Sequence, residues 1–317
     1  MAGMSIALVF PGQGSQSVGM MGALAAQHAI VRDCYARASA RLGFDLWQLV
    51  AEGPAERLNS TEYTQPAMLV AGVATAMLWR AGGGAAPTAV AGHSLGEFAA
   101  LVCAGSLQLE DAVELVRYRG QLMQRAVPEG VGAMAAILGL EDDAVEAACL
   151  AAAQGEVVEA VNFNSVGQVV IAGHRAAVER AMEACRQSGA KRAQWLPVSV
   201  PAHSSLMRAA ADSLAARLAQ LEVRAPQCHY ISAVDALPHD DPADIRTTLV
   251  RQLASPVRWQ QTVRALFELA PTLIECGPGK VLTSLNRRIA RGATTLAIDD
   301  PESLKVALAT ASGAVHV

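Results

Sequence analysis

Thr88-Ala89-Val90-Ala91-Gly92-His93-Ser94-Leu95-Gly96-Glu97-Phe98-Ala99-Ala100-Leu101 joins a short apolar run to the start of a helix. Thr88 to Ala91 has the unbroken apolar pattern of a strand covered on both faces. A helix beginning near Glu97 follows. Between them Gly92-His93-Ser94-Leu95-Gly96 matches G-x-S-x-G, the nucleophile elbow, in the strand-turn-helix context that the motif requires. Such a turn is sharp. It leaves little room for Cβ atoms at its ends and holds Ser94 in strained backbone geometry. It lifts the hydroxyl to a helix N-terminus, where partial positive charge favours a developing anion.

The alternation continues outward in both directions. Ile6 to Phe10 is a continuous apolar run closed by Pro11-Gly12, a second buried strand. Helical periodicity follows over Ile30 to Leu42 and over Gln65 to Arg80, the latter ended by Gly82-Gly83-Gly84. Leu109 to Ala126 is a longer amphipathic helix. Strands alternating with helices predict an α/β fold with a mainly parallel sheet.

At Val127-Pro128-Glu129-Gly130 the pattern changes. A strand (Gly132 to Leu138), a helix (Asp142 to Ala153) and two strands (Val157 to Phe163, Val169 to Ala172) come in turn. Asn164, Ser165 and Gly167 carry turn chemistry between those two strands. A helix (Arg175 to Ser188) and a strand (Arg192 to Val198) complete the order β-α-β-β-α-β, a split ferredoxin-like unit. After Pro201 the first pattern resumes: a helix over Ser204 to Ala219 and a strand over Cys228 to Ala233. Helices at Asp241 to Leu253 and Arg258 to Leu269 precede a strand at Leu273 to Cys276. The expected division is a large α/β domain from residues 1–127 and 199–317, with a small inserted α+β domain from residues 128–198.

The 317 residues are 52% hydrophobic and 17% charged, a globular composition. A net charge of −4 argues against general nucleic-acid binding. Six scattered cysteines with no C-x-x-C pair fit neither a disulfide framework nor a zinc site. Leu69 to Trp79 is far short of the roughly 20 residues a membrane helix needs, so it reads as a buried helix. No positive charge precedes the apolar run Ile6 to Phe10, which is too short for a signal segment. A soluble, cytoplasmic protein without membrane association is expected.

An elbow serine needs a base. The histidines are His28, His93, His174, His203, His229, His239 and His316. His93 is too close in the turn to reach back to Ser94. His28, His174 and His316 read as helix or tail positions. His203 leaves a strand on a loop just before a helix, where a base belongs. A surface or capping histidine explains that spacing slightly better. Gly12-Gln13-Gly14-Ser15-Gln16 follows the first strand but lacks the third glycine of G-x-G-x-x-G and any Lys-Ser or Lys-Thr pair, so it is no phosphate loop. It can still aim a backbone N–H into a cleft. In elbow enzymes one oxyanion donor is the N–H after the nucleophile, here Leu95, and the second comes from another post-strand loop, for which Gln13 is the natural candidate. Arg117 and Arg119 lie on one helix, where an arginine is ordinarily solvated or ion-paired. Gly277-Pro278-Gly279-Lys280 reads equally as an anion-binding helix start or a plain helix boundary.

Pro11-Gly12-Gln13-Gly14-Ser15-Gln16, Gly92-His93-Ser94-Leu95-Gly96-Glu97 and Val198-Ser199-Val200-Pro201-Ala202-His203 occur in one chain with Asn162-Phe163-Asn164-Ser165, Val250-Arg251-Gln252-Leu253 and Glu275-Cys276-Gly277-Pro278-Gly279-Lys280. Together they resemble the bacterial malonyl-CoA:acyl carrier protein transacylases of type II fatty acid synthesis, over about residues 5–310. The resemblance implies an α/β-hydrolase-like large domain interrupted by the ferredoxin-like one. It implies Ser94 as the acyl-accepting nucleophile and His203 as the base. It implies the backbone carbonyl of Gln252 as the group that orients the histidine in place of a triad carboxylate. Gln13 and Leu95 match the oxyanion-hole positions, and Arg119 matches the arginine that grips the free carboxylate of malonate. That family often has asparagine where this chain has Ala233.

The resemblance implies ping-pong transfer of malonyl from malonyl-CoA, through malonyl-Ser94, to the phosphopantetheine thiol of holo acyl carrier protein. No cofactor or metal is expected, since coenzyme A and phosphopantetheine enter as parts of the substrates. A monomer is expected. An acidic carrier would find Lys191-Arg192 and Arg287, Arg288 and Arg291 as a docking surface, though a solvated basic helix face is an equal reading. The alternatives are a transacylase of polyketide synthesis or malonate decarboxylation, a thioester hydrolase, or a binding subunit without catalysis.

Overall fold

The computed structural model describes residues 5–198 and 200–312. Among them nine strands follow in chain order: β1 (Ile6–Phe10), β2 (Ala89–Gly92), β3 (Gly132–Leu138), β4 (Val158–Ser165), β5 (Gln168–His174), β6 (Arg192–Trp195), β7 (His229–Tyr230), β8 (Thr272–Cys276) and β9 (Thr294–Ile298). Five of them form a sheet in the order β7-β2-β1-β8-β9, and every pairing in it is parallel. The other four form an antiparallel sheet in the order β4-β5-β3-β6. The parallel sheet is covered by helices, as its continuous apolar strands require: all five residues of β1 and of β8 are buried. The antiparallel sheet carries the helices Asp142–Ala152 and Arg175–Gln187 over a core of its own. No helix among the described residues is long and apolar enough to cross a membrane. The long apolar helix Thr61–Ala81 lies buried along most of its length, as expected of its sequence.

Several elements differ from expectation. That helix starts at Thr61, four residues before Gln65, with Pro66 inside it. Proline reads as a first-turn residue, which conceals the preceding turn. β7 has two residues where six were expected. Ile231 N–H makes the last bond to β2, at 3.0 Å to the Val90 carbonyl oxygen, and beyond it the Ala233 N–H donates instead to Glu97 Oε1 at 3.0 Å. β6 stops at Trp195, short of Pro197 and Val198. β4 continues through Asn164 and Ser165, so the turn lies at Val166 and Gly167. Ser204 to Ala219 opens as a 3-10 turn, Ser205–Met207, before the α-helix Arg208–Leu218. The short helices Gly22–Gln27, Leu46–Glu52 and Ala55–Asn59, and the C-terminal β9 and Pro301–Ala311, were not anticipated, whereas Val281–Ile289 follows the helix boundary read at Gly277 to Lys280. His316, the segment Met1 to Gly3 and the expected boundary residue Ser199 lie outside the described residues.

The two elbow glycines are required by contact. A Cβ on Gly96 would lie 2.0 Å from the Phe10 carbonyl oxygen, and one on Gly92 would lie 1.9 Å from the Gly96 carbonyl carbon. Both obstacles are backbone, so neither can swing away. Gly96→Ala is therefore expected to destabilise the fold by about 3 kcal/mol or more. The measurement is urea unfolding; a midpoint equal to that of the unmodified chain would contradict the close packing of elbow on β1.

Candidate active site

Ser94 sits between β2 and the helix Gly96–Cys103 at φ 52°, the left-handed region expected of an elbow nucleophile. His203 also has positive φ, 66°, on the loop before the 3-10 turn. His203 Nε2 lies 2.7 Å from Ser94 Oγ, and His203 Nδ1 lies 2.9 Å from the Gln252 carbonyl oxygen. A carbonyl can only accept, so Nδ1 carries the proton and Nε2 is left to accept from the serine hydroxyl. The imidazole is buried. Burial, with the Arg119 charge beside it, holds its pKa down to about 3. The ring is thus a neutral base, oriented without a carboxylate.

Gln252 does more than its expected backbone role. Its side-chain Nε2 donates to the Ser94 carbonyl oxygen at 2.9 Å, and its Oε1 accepts from Arg119 Nη2 at 2.9 Å. One residue thus holds the histidine with its carbonyl and ties the elbow to Arg119 with its amide.

Arg119 lies on the helix Leu109–Arg125 and is 1% exposed. Gly120 lets that helix press against the start of Thr61–Ala81, for a Cβ there would lie 2.7 Å from the Thr61 carbonyl oxygen. The approach brings Arg119 Nη1 to Gln65 Oε1 at 2.9 Å, while Nη2 reaches Ser94 Oγ at 3.3 Å. The guanidinium stands 5.6 Å from the Phe98 ring centroid, within cation–π reach. Among the described residues no carboxylate forms an ion pair with Arg119, and its buried Nε has no hydrogen-bond partner. Burial lowers its pKa to about 10, a value Glu97 helps to keep from falling further, so it stays charged at neutral pH. Arg117, two residues away, is ordinary: it pairs with Glu62 at 3.1 Å.

Leu95 is buried at the start of the elbow helix, where backbone N–H groups lack intrahelical partners. Gln13 follows β1 on a loop that abuts the elbow, since a Cβ on neighbouring Gly12 would meet the His93 carbonyl oxygen at 2.6 Å. The Gln13 side chain donates to Thr61 Oγ1 at 3.2 Å. The structure therefore brings Ser94, His203, Gln252, Arg119, Leu95 and Gln13 to the carboxyl edge of the parallel sheet. A cavity of about 330 Å³ opens at Gln13, lined also by Asn59, Thr61, Gln124, Pro128 and Val200. A larger hollow of about 570 Å³ around Arg32, Phe44 and Trp47 contains none of the site residues.

The other histidines among the described residues have identifiable surroundings. His93 Nε2 meets Asn164 Oδ1 of β4 at 2.8 Å, tying the elbow to the antiparallel sheet. His28 precedes the helix Ala29–Leu42, and His229 is exposed in β7. His174 ends β5, where its Nδ1 accepts the Val157 N–H at 2.9 Å, so it is a strand residue and not the helical one expected. His239 is held between Asp235 and Asp244, which raise its pKa against the opposing effect of its burial. The Gly277-Pro278-Gly279-Lys280 boundary is no open anion site: Glu275 accepts the N–H groups of Leu282 at 3.1 Å and Thr283 at 2.7 Å.

Gln65, Asn164 and Glu97 were missed as site neighbours. Glu97 is buried beneath the elbow, where its carboxyl takes hydrogen bonds from Tyr230, Ser232 and Ala233. Burial pushes its pKa up. The signal for Gln65 was a polar residue inside an apolar helix, which must be satisfied when buried; nothing local tells by what.

The acyl transferase domain family matches residues 7–297. The malonyl CoA-acyl carrier protein transacylase of Escherichia coli K12 is 54% identical over 303 residues, covering 95% of this chain and 98% of that protein. The crystal structure of an acyl carrier protein S-malonyltransferase from Vibrio cholerae superposes with a TM-score of 0.93 at 55% identity, covering 96% of this chain and 99% of that one. A malonyl-transacylase solved in complex with its type II PKS acyl-carrier protein is 50% identical with a TM-score of 0.95, over 96% of this chain and 99% of that one. The chain belongs to the acyl transferase domain family, among the malonyl CoA-acyl carrier protein transacylases.

Proposed function

We propose that the protein transfers a malonyl group from malonyl-CoA to the phosphopantetheine thiol of holo acyl carrier protein through a malonyl-Ser94 intermediate, in the service of fatty acid biosynthesis. The observation that carries this reading is a charged, buried guanidinium without a carboxylate partner, 3.3 Å from the hydroxyl that His203 is placed to deprotonate. Ser94 Oγ attacks the thioester carbonyl as its proton passes to His203 Nε2. The N–H groups of Leu95 and Gln13 receive the oxyanion. The C–S bond breaks, and coenzyme A leaves with the proton from His203. Arg119 holds the malonyl carboxylate as a charge-assisted pair, using its free Nε. The carrier's thiol then gives its proton to His203 and attacks the ester carbonyl, and the proton returns to Ser94 as the C–O bond breaks. The cavity beside Gln13 suits the approach of the pantetheine arm. Every group in these steps comes from one chain, so a monomer suffices, and no bound cofactor enters them.

The test is intact mass after brief mixing with malonyl-CoA, then after adding holo carrier protein. Gain of one malonyl group that is discharged onto the carrier and absent from Ser94→Ala is expected. No adduct, or an adduct lost to water before the carrier arrives, would sink the reading in favour of a binding protein or a hydrolase.

The carrier is expected to dock on a basic surface that spans both sheets. Arg288 Nη1 donates to Gln168 Oε1 at 3.3 Å, and Gln168 shares a register with Leu138, which in turn pairs with Arg192. Lys191, Arg192, Arg288 and Arg291 are exposed, as are Val166, next to β5, and Val281, which begins the helix that carries Arg288. Arg287 is partly spent on Thr295, to whose Oγ1 it donates at 3.0 Å. Reversing Lys191 and Arg288 to glutamate is expected to raise the carrier's KM on the order of tenfold and weaken its salt dependence. Ser94 malonylation from malonyl-CoA is expected to be unchanged. An unaltered carrier KM would place docking elsewhere.

A further inference from the structure

The partners of Arg119 are amides on both sides. Gln65 Oε1 and Gln252 Oε1 each accept from it at 2.9 Å. An amide oxygen satisfies an N–H without cancelling charge, whereas a carboxylate in the same place forms a buried ion pair. Gln65 has no exposed surface. Its Nε2 faces Met123 Sδ at 3.2 Å. A guanidinium has only donors and a thioether only an acceptor, so the two neighbours determine which way the amide points. Glu97, the acid whose field reaches Arg119, is engaged by Tyr230, Ser232 and Ala233.

We propose that Gln65 is a specificity-determining residue: its neutral amide positions Arg119 while leaving the guanidinium charge for the carboxylate of the incoming acyl group. The proposal rests on the reading of Arg119 as the partner of the malonyl carboxylate. Gln65 touches no reacting atom. It acts through Arg119, and what matters is the absence of charge on an otherwise ideal acceptor. Glutamate has the same shape. At this position it would neutralise Arg119 before substrate arrives and remove the preference for an acidic acyl group. Methionine, similar in length and with only the weak acceptor of a thioether, would loosen Arg119 but leave its charge intact.

The experiment compares kcat/KM for Ser94 acylation by malonyl-CoA and by acetyl-CoA in the unmodified chain, Gln65→Glu and Gln65→Met. The malonyl-to-acetyl ratio is expected to fall by about tenfold or more in Gln65→Glu. In Gln65→Met both rates are expected to drop while the ratio stays within about threefold of its starting value. An unchanged ratio in Gln65→Glu overturns the proposal. So does a ratio lost in Gln65→Met, which keeps the test decisive if Gln65→Glu fails to fold. An unmodified chain that does not prefer malonyl would instead overturn the reading of Arg119, and this inference with it.

Discussion

His203→Ala is expected to slow malonylation of Ser94 by about 10⁴-fold while leaving the fold intact. His203 is the only base within reach of the nucleophile in the described structure, at 2.7 Å, and its loss leaves only the oxyanion donors and substrate binding to work with. Rapid-quench intact mass measures the rate. A loss of less than tenfold would mean that another group takes the proton. The pH dependence is a second check. Burial, assisted by Arg119, pushes the imidazole down to about 3, so the base is already neutral through the whole range above pH 5. kcat/KM for malonyl-CoA is then expected to stay flat on acidification from pH 8 to pH 5. Once the malonyl carboxylate sits on Arg119, that charge no longer opposes protonation of His203. The acid limb of kcat is therefore expected at higher pH than that of kcat/KM, because kcat reports the bound complex and kcat/KM the free enzyme. Coincident limbs would separate Arg119 from the acyl carboxylate.

Arg119→Ala is expected to lower kcat/KM for malonyl-CoA by ~10²–10³-fold, the cost of leaving a buried carboxylate without its partner, about 3–5 kcal/mol. Acetyl-CoA has no carboxylate to strand and is expected to lose far less, so the preference collapses. Lysine is not expected to rescue it. Its ammonium is a point charge on a flexible stem and cannot span Gln65, Gln252 and a carboxylate as a planar fork does. The same substitution removes a cation beside His203, so the acid limb of kcat/KM is expected to move upward. Competition between the two acyl-CoA substrates reads the preference directly. A variant still selective for malonyl would show that the acyl carboxylate binds elsewhere.

The two predictions test groups that the sequence disclosed unequally. Ser94 was legible because the elbow is local: a strand, two obligatory glycines and a helix within ten residues. The glycine requirement is visible in the structure as backbone contacts of 2.0 Å or less from the missing Cβ atoms. The alternation of strands and helices was likewise legible, because buried parallel strands are apolar throughout. Elements at the sheet edges were less so: β7 was read too long and β9 was not read at all. β7 and β9 lie at the two ends of the parallel sheet, each with one neighbour, and carry a weaker pattern. Short helices such as Ala55–Asn59 have too few turns to display a period.

By itself the sequence determined the α/β class, the ferredoxin-like β-α-β-β-α-β order and the strand-turn-helix elbow that carries Ser94. For His203, Arg119 and Gln252 the residues alone left ordinary alternatives open, and only their resemblance to a family singled them out. The tertiary structure decided their convergence: Gln252 meets Ser94 across 158 positions of chain, and His203 meets it across 109. No periodicity spans such separations, because local patterns report which face of an element is buried and not what it is buried against. The charge state of the site is of the same kind. Arg119 on its helix reads as a solvated cation. It becomes a buried cation held by two amides only once Gly120 has let two helices close upon Gln65.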